Sequence, residues 1–176
     1  MNNKKAILAI WHIANKGKTH TLRELATLLR RQYPNFIQLF PEPPDDIGTG
    51  DFQIVIKIVD LVVAIESQGD PNTNLEKRLL SLVDGTMGVV ADVIFCSTRT
   101  RGETVGAVEC IAGMGYEAVW TSTYQTGRDH EEMNRLKARH ILELMINLGL
   151  MPPLEVQKLV EMDISPTPVG YNETEP

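Results

Sequence analysis

The sequence predicts an α/β fold of three layers, in which helices flank a mostly parallel β-sheet and a β-hairpin follows the first helix. Short continuous apolar runs, typical of strands buried on both faces, alternate with segments whose apolar residues recur every three or four positions. Strands that alternate with helices of this length imply crossover connections and parallel pairing. A length of 176 residues suits one domain, which we assign to residues 1–163, followed by a flexible C-terminal tail over 164–176.

The first strand and the first helix have the clearest patterns. The run Ala6–Trp11 is continuously apolar, as expected of a buried strand. Proline at position 34 ends the amphipathic helix that follows, and residues 34–50, with four prolines and two glycines, are predicted to form a surface loop. The residues that mark the buried face of this helix are Leu22, Leu25, Ala26 and Leu29.

The remaining elements repeat the alternation of strand and helix. Phe52–Ile58 and Leu61–Glu66 are rich in β-branched residues, and the short Val59-Asp60 connection between them predicts a β-hairpin. Glycine or proline follows the later helices as a stop signal. These later elements are predicted as a helix at 75–83, a strand at 89–96, a helix at 105–112, a strand at 117–121, a long helix at 133–148 and a short helix at 154–162.

Composition excludes several classes of function. Seventeen Lys and Arg against 23 Asp and Glu give a net charge of −6, which argues against a nucleic-acid partner because such proteins need a basic face. The apolar runs are about six to eight residues long, too short to span a bilayer, and we expect no signal peptide. Cys96 and Cys110 have no metal-ligand spacing and suggest no disulfide framework, so a cytoplasmic protein is expected.

The main chemical motif is the tripeptide Gly17-Lys18-Thr19, which lies between the first strand and the first helix. A glycine there lets the backbone approach a phosphate closely, and the amides of residues 16–19 point at it from a helix N-terminus. Lys18 would reach the β- and γ-phosphates of a nucleotide, and the Thr19 hydroxyl would hold Mg²⁺. A loop that merely caps the helix is the alternative.

Residues 9–19, with the sequence AIWHIANKGKT, resemble the phosphate-binding loop of the P-loop NTPase superfamily. The continuation TLRELA at 21–26 is similar to the first helix of its small nucleotide or metabolite kinases. The resemblance implies ATP or GTP and Mg²⁺ as cofactors. It also implies phosphate-binding roles for His12, Asn15, Lys16, Gly17, Lys18, Thr19 and His20.

The chain departs from the superfamily pattern at His12, where the pattern has a glycine. That glycine makes the tight exit from the strand. Histidine adopts a left-handed backbone only at a cost, so we expect His12→Gly to tighten nucleotide binding.

Acidic residues after the second hairpin strand are candidates for holding Mg²⁺. Glu66 ends the apolar run, and Asp70 follows four residues later. Magnesium prefers such hard oxygen ligands, and the superfamily usually has an aspartate at this place. The sequence does not choose between the two residues. For Asp70 the alternative is that Asp70-Pro71 simply starts the next helix.

Arg99 and Arg101 follow the next strand and predict a second anion site. A guanidinium group binds phosphate or carboxylate through two parallel hydrogen bonds. We assign both arginines a catalytic role with Lys18, either holding an acceptor substrate or stabilising the transition state. At least one guanidinium should lie within reach of a phosphate held by Lys18. Ordinary solvated loop charge is the alternative.

Three functions compete at this stage. The first is a small kinase or NTPase that transfers the γ-phosphoryl group of ATP or GTP, with a nucleotide and a small-molecule acceptor as partners. The second is a non-catalytic interaction module that responds to nucleotide, and the third is a phosphate-binding relic. The acceptor and the oligomeric state stay open, a homo-oligomer being compatible with the sequence.

Overall fold

Six strands and four helices follow one another in the computed structural model, which describes residues 4–42, 47–127 and 129–154. The predicted short helix at 154–162 lies, apart from its first residue, outside these described residues, as does the predicted tail at 164–176. The elements are β1 (Ala6–Trp11), α1 (Lys18–Gln32), β2 (Ile37–Phe40), β3 (Gln53–Ile58), β4 (Leu61–Glu66), α2 (Leu75–Val83), β5 (Val93–Thr98), α3 (Glu103–Gly113), β6 (Glu117–Thr121) and α4 (His130–Asn147).

The strands form one mixed sheet in the order β2-β3-β4-β5-β1-β6. Strands β4, β5, β1 and β6 are parallel, whereas β3 pairs antiparallel with β2 and with β4. The predicted α/β class, the mostly parallel sheet and the hairpin after the first helix are therefore confirmed. The hairpin turns at Val59, which has a left-handed backbone with φ of 56°.

Helices cover both faces of the sheet, which gives the expected three layers. On one face, α1 and α4 pack on Leu8, Ile10 and Phe95, together with other buried residues of the sheet. On the opposite face, α2 and α3 pack on a second cluster that includes Ile7 and Ile94. Neighbouring residues of a strand point to opposite faces, so the continuous apolar runs of β1 and β5 supply both clusters.

The predicted loop after the first helix and the predicted bounds of β5 are wrong. The predicted loop at 34–50 contains β2, which is an edge strand and so lies beside the prolines that suggested a loop. The strand predicted at 89–96 runs instead from Val93 to Thr98. The apolar run ends at Cys96, but the strand continues beyond it, because Ser97 and Thr98, although polar, are buried and pair in register with β1.

The strand order places a crevice at one edge of the sheet. Strands β1 and β5 are neighbours, yet the chain leaves β1 through α1 on one face and β5 through α3 on the other. Ligands of open α/β sheets bind outside the carboxyl ends of the strands at such a point, where the connections diverge. The strand order therefore predicts a ligand site among the segments that follow β1 and β5.

Candidate functional site

A cavity of about 470 Å³ lies at the carboxyl ends of β1, β4 and β5. The segment between β1 and α1 forms one wall, the residues before β3 form a second, and the turn after β4 forms a third. The lining residues are Asn15, Lys16, Gly17, Lys18, Thr19, His20, Thr49, Gly50, Asp51, Ser67, Gly69, Asp70 and Ser97. The structure thus brings together all but one of the residues predicted to bind phosphate.

The loop between β1 and α1 bends at two left-handed residues, Asn15 with φ of 53° and Gly17 with φ of 75°. Gly17 directly precedes α1, and its carbonyl accepts the first intrahelical hydrogen bond from Thr21. A Cβ atom at Gly17 would lie 2.6 Å from Oδ1 of Asn134 on α4, a side chain that can move aside, so it is the positive φ that favours glycine at this position. The three amides of residues 18–20 precede that first bond and lie at the cavity, where they can bind an anion.

The Lys18 side chain is only 7% exposed and curls back over the loop. Its Nζ donates to the carbonyls of His12 at 3.1 Å and Ile13 at 2.9 Å. Burial lowers the pKa of the Lys18 amine, the nearby Arg99 lowers it further, and Asp70 and Asp51 oppose both effects. An anionic ligand beside this amine would relieve the repulsion between two cations.

His12 is the one predicted phosphate-binding residue that does not line the cavity. It prolongs β1, since its amide donates to the Thr98 carbonyl at 3.3 Å, and its Nδ1 accepts from the amide of Ile13 at 2.8 Å. Burial and the charges of two lysines lower the pKa of His12. Within the described part of this loop only Asn15 and Gly17 are left-handed, so the cost expected for a left-handed histidine does not arise.

Thr19 contacts a carboxylate that sequence reasoning missed. The Thr19 hydroxyl donates to Oδ1 of Asp51 at 3.0 Å, and the Ser67 hydroxyl lies 3.4 Å from the same oxygen. Asp51 comes just before β3, and because β3 is antiparallel to β4, its start lies at the carboxyl edge of the sheet. The predicted hairpin, combined with the rule that ligands bind at that edge, could have identified Asp51.

Glu66 is buried beneath the site, in a network of four hydrogen bonds. Arg78 donates two of them, and the Gln53 amide group and the Gln68 backbone amide donate one each, all at 2.9 Å. Burial raises the pKa of the Glu66 carboxyl, while the Arg78 guanidinium and the Gln68 amide act in the opposite direction. Both carboxylate oxygens are thus occupied in holding α2 against the hairpin.

Asp70, the other acidic candidate, lines the cavity and forms an ion pair with Arg99 at 2.9 Å. It does not start the next helix, because α2 begins at Leu75 after an N-cap at Asn74. The alternative interpretation of Asp70 as a helix start is therefore wrong.

The two arginines after β5 have different environments. Arg99 is held by Asp70, and its charge acts on the amine of Lys18. Arg101 is exposed on the loop before α3, and neither arginine is among the described residues that line the cavity. The strand ends at Thr98, so the two side chains do not share a face of a continuing strand. Of the two arginines, Arg99 is therefore the one whose charge acts on the loop between β1 and α1.

A comparison of the chain with protein-family models, with curated proteins and with solved structures finds no match in any of the three. Within the described ranges, no helix is both long and apolar enough to cross a membrane. The same ranges hold no cluster of three or more His, Cys, Asp or Glu residues suited to a metal ion.

Proposed function

We propose that the cavity binds a nucleoside triphosphate, ATP or GTP, with Mg²⁺, and that the chain transfers or hydrolyses its γ-phosphoryl group as a P-loop NTPase. One observation carries the proposal. Left-handed Gly17 opens α1 directly behind a buried parallel strand, with the Lys18 amine and the first helical amides at one cavity. This combination of strand, loop, helix and lysine is what binding of a triphosphate requires.

The electrostatics of the cavity favour a ligand with several negative charges. The N-terminus of α1 carries a partial positive charge, and Lys18 adds a full charge beside it, while the charge of Arg99, which also acts on the Lys18 amine, is paired with Asp70. Within the described part of the chain, two of the three protons of the Lys18 amine are committed to backbone carbonyls. One donor is left for a phosphate oxygen. A hydrogen bond between charged groups contributes about 1.5–3 kcal/mol.

The donor groups at the cavity also fit Mg²⁺, which prefers oxygen ligands and retains bound water. The Thr19 hydroxyl donates a hydrogen bond to a carboxylate, so the lone pairs of the Thr19 oxygen are left for a cation. Mg²⁺ bound there would neutralise charge on the β- and γ-phosphates. Lys18 and Arg99 would stabilise the charge that develops as the phosphoryl group passes to an acceptor or to water.

A nucleotide-dependent interaction module is the second candidate, and the surface beside the loop favours it. Trp11 is 42% exposed at the end of β1, and Ile13 is 53% exposed in the loop itself. Large apolar side chains that share a stretch of surface are typical of contacts with another protein. The two candidates differ in turnover, which ³¹P nuclear magnetic resonance of ATP or GTP would detect.

Nucleotide binding is tested first by thermal unfolding. ATP or GTP with Mg²⁺ at a hundredfold excess over Kd should stabilise the protein by about 2.7 kcal/mol. For a chain of this size, that raises Tm by about 5–11 °C. Adenosine and guanosine, which lack phosphates, are the controls and should produce no shift. No shift at millimolar ATP or GTP would leave only the phosphate-binding relic.

The backbone of the loop changes the expected effect of His12→Gly. The bend occurs at Asn15 and Gly17, so glycine at position 12 adds freedom without relieving strain. The added freedom costs about 0.5–1 kcal/mol, so we expect nucleotide binding to weaken by about two- to fivefold in calorimetric titration. His12→Ala, which removes the ring but not the backbone restriction, should bind more tightly than His12→Gly. Tighter binding by His12→Gly would mean that the bound loop bends at position 12.

A further inference from the structure

The loop before β3, residues 47–52, is held against α1 by Arg23. The guanidinium donates from Nε to the Gly48 carbonyl at 2.9 Å and from Nη2 to the Gly50 carbonyl at 2.7 Å. It also lies over the Phe52 ring, 5.8 Å from its centroid. One arginine thus fixes three positions of the loop, and the loop forms a wall of the cavity.

Within this loop, Asp51 faces the first turn of α1. Its Oδ1 accepts a hydrogen bond from the Thr19 hydroxyl at 3.0 Å and lies 3.4 Å from the Ser67 hydroxyl. Ser67 is itself oriented, because its oxygen accepts from the Phe52 amide at 2.7 Å. A carboxylate and two hydroxyls therefore meet at one corner of the cavity, all of them hard oxygen donors.

The other two candidate carboxylates are already neutralised by arginines. Arg78 and two further donors occupy Glu66, and Arg99 pairs with Asp70. Among the described residues, no arginine or lysine forms a salt bridge with Asp51. Of the three, Asp51 is the carboxylate that also contacts a hydroxyl of the phosphate-binding loop.

We propose that Asp51, positioned by Arg23, holds the divalent cation of the bound nucleotide together with Thr19, either directly or through a bound water. The inference rests on the proposed function. It moves the acidic ligand from the end of β4, where the resemblance leads one to expect it, to the start of β3. Because β3 is antiparallel to β4, the start of β3 and the end of β4 lie at the same edge of the sheet, so an acidic residue at either position can reach the cavity.

The test measures nucleotide affinity by calorimetric titration, once in excess Mg²⁺ and once in EDTA, and compares the two values. For the wild-type chain, Mg²⁺ should tighten binding. Asp51→Asn keeps the shape of the side chain and removes its charge, so the ratio of the two affinities should fall at least tenfold. Affinity in EDTA should stay the same or rise, because a negative charge near the triphosphate is gone.

A second readout follows the cation itself. With Mn²⁺ in place of Mg²⁺, electron paramagnetic resonance reports how much metal is bound to the complex of protein and ATP. Asp51→Asn should lower the bound fraction. Arg23→Ala, which releases the loop, should lower the affinity ratio about threefold.

Two matched variants complete the test. Asp60→Asn changes an aspartate at the hairpin turn, at the other end of the sheet, and should behave as wild type. The inference is overturned if Asp51→Asn retains the wild-type ratio, or if Asp70→Asn loses it in place of Asp51→Asn. If the wild-type chain binds no nucleotide in either buffer, the proposed function fails as well, so the two failures are distinguishable.

Discussion

Lys18→Ala is expected to remove at least about half of the rise in Tm that nucleotide with Mg²⁺ produces. The substitution removes the buried positive charge of the loop, on a side chain that is 7% exposed. Two of the three amine protons are committed to the His12 and Ile13 carbonyls, so loss of the one remaining hydrogen bond to a phosphate oxygen would cost about 1.5–3 kcal/mol. Affinity should therefore fall about ten- to a hundredfold, and ³¹P turnover should fall to background.

Loss of binding must be separated from loss of folding. Lys18 also holds the carbonyls of His12 and Ile13, so Lys18→Met, which retains most of the aliphatic stem, serves as a second variant. Both variants should unfold cooperatively in the absence of nucleotide. Lys57→Ala on β3 removes a lysine remote from the cavity and should bind nucleotide as wild type does. Turnover that persists in Lys18→Ala would contradict the proposed mechanism.

Gly69→Ala is expected to destabilise the fold more than any other single methyl addition at a described glycine. A Cβ atom there would lie 1.8 Å from the carbonyl oxygen of Ser97 and 2.2 Å from its carbonyl carbon. Ser97 belongs to β5, which is paired on both sides, so its backbone cannot move aside. Overpacking typically costs about 1–3 kcal/mol, and we expect the upper end of that range or more because the clash is with backbone.

The measurement is urea or thermal unfolding, in which Gly69→Ala should lower Tm by about 6–12 °C. Gly106→Ala is the matched control, because a Cβ atom at Gly106 meets nothing within 4 Å and the residue lies inside α3. Removal of a helical glycine should stabilise the protein by about 0.5–1 kcal/mol, a change of opposite sign. Equal stability of Gly69→Ala and the wild type would show that the turn after β4 does not pack this closely on β5.

The sequence by itself determined the features that depend on local pattern. The period of the apolar residues predicted β1, α1, the hairpin and the later helices, because burial on one face or on two imposes that period. The sequence also predicted the place of the loop between β1 and α1, since a glycine, a lysine and a helix start lie within three residues. For the same reason, all of its predicted residues except His12 line the cavity.

Only the tertiary structure decided which distant residues share the site with that loop. The sequence ranked Glu66 with Asp70 and Arg99 with Arg101, and it passed over Asp51. The strand order and register decide which member of each pair lies near the loop. Pairing of β4 with β3 directs the Glu66 carboxylate to Arg78 beneath the cavity, while the start of β3 carries Asp51 to Thr19. The contact between Thr19 and Asp51 joins residues 32 positions apart, and no local period encodes it, because it depends on how the strands assemble into one sheet.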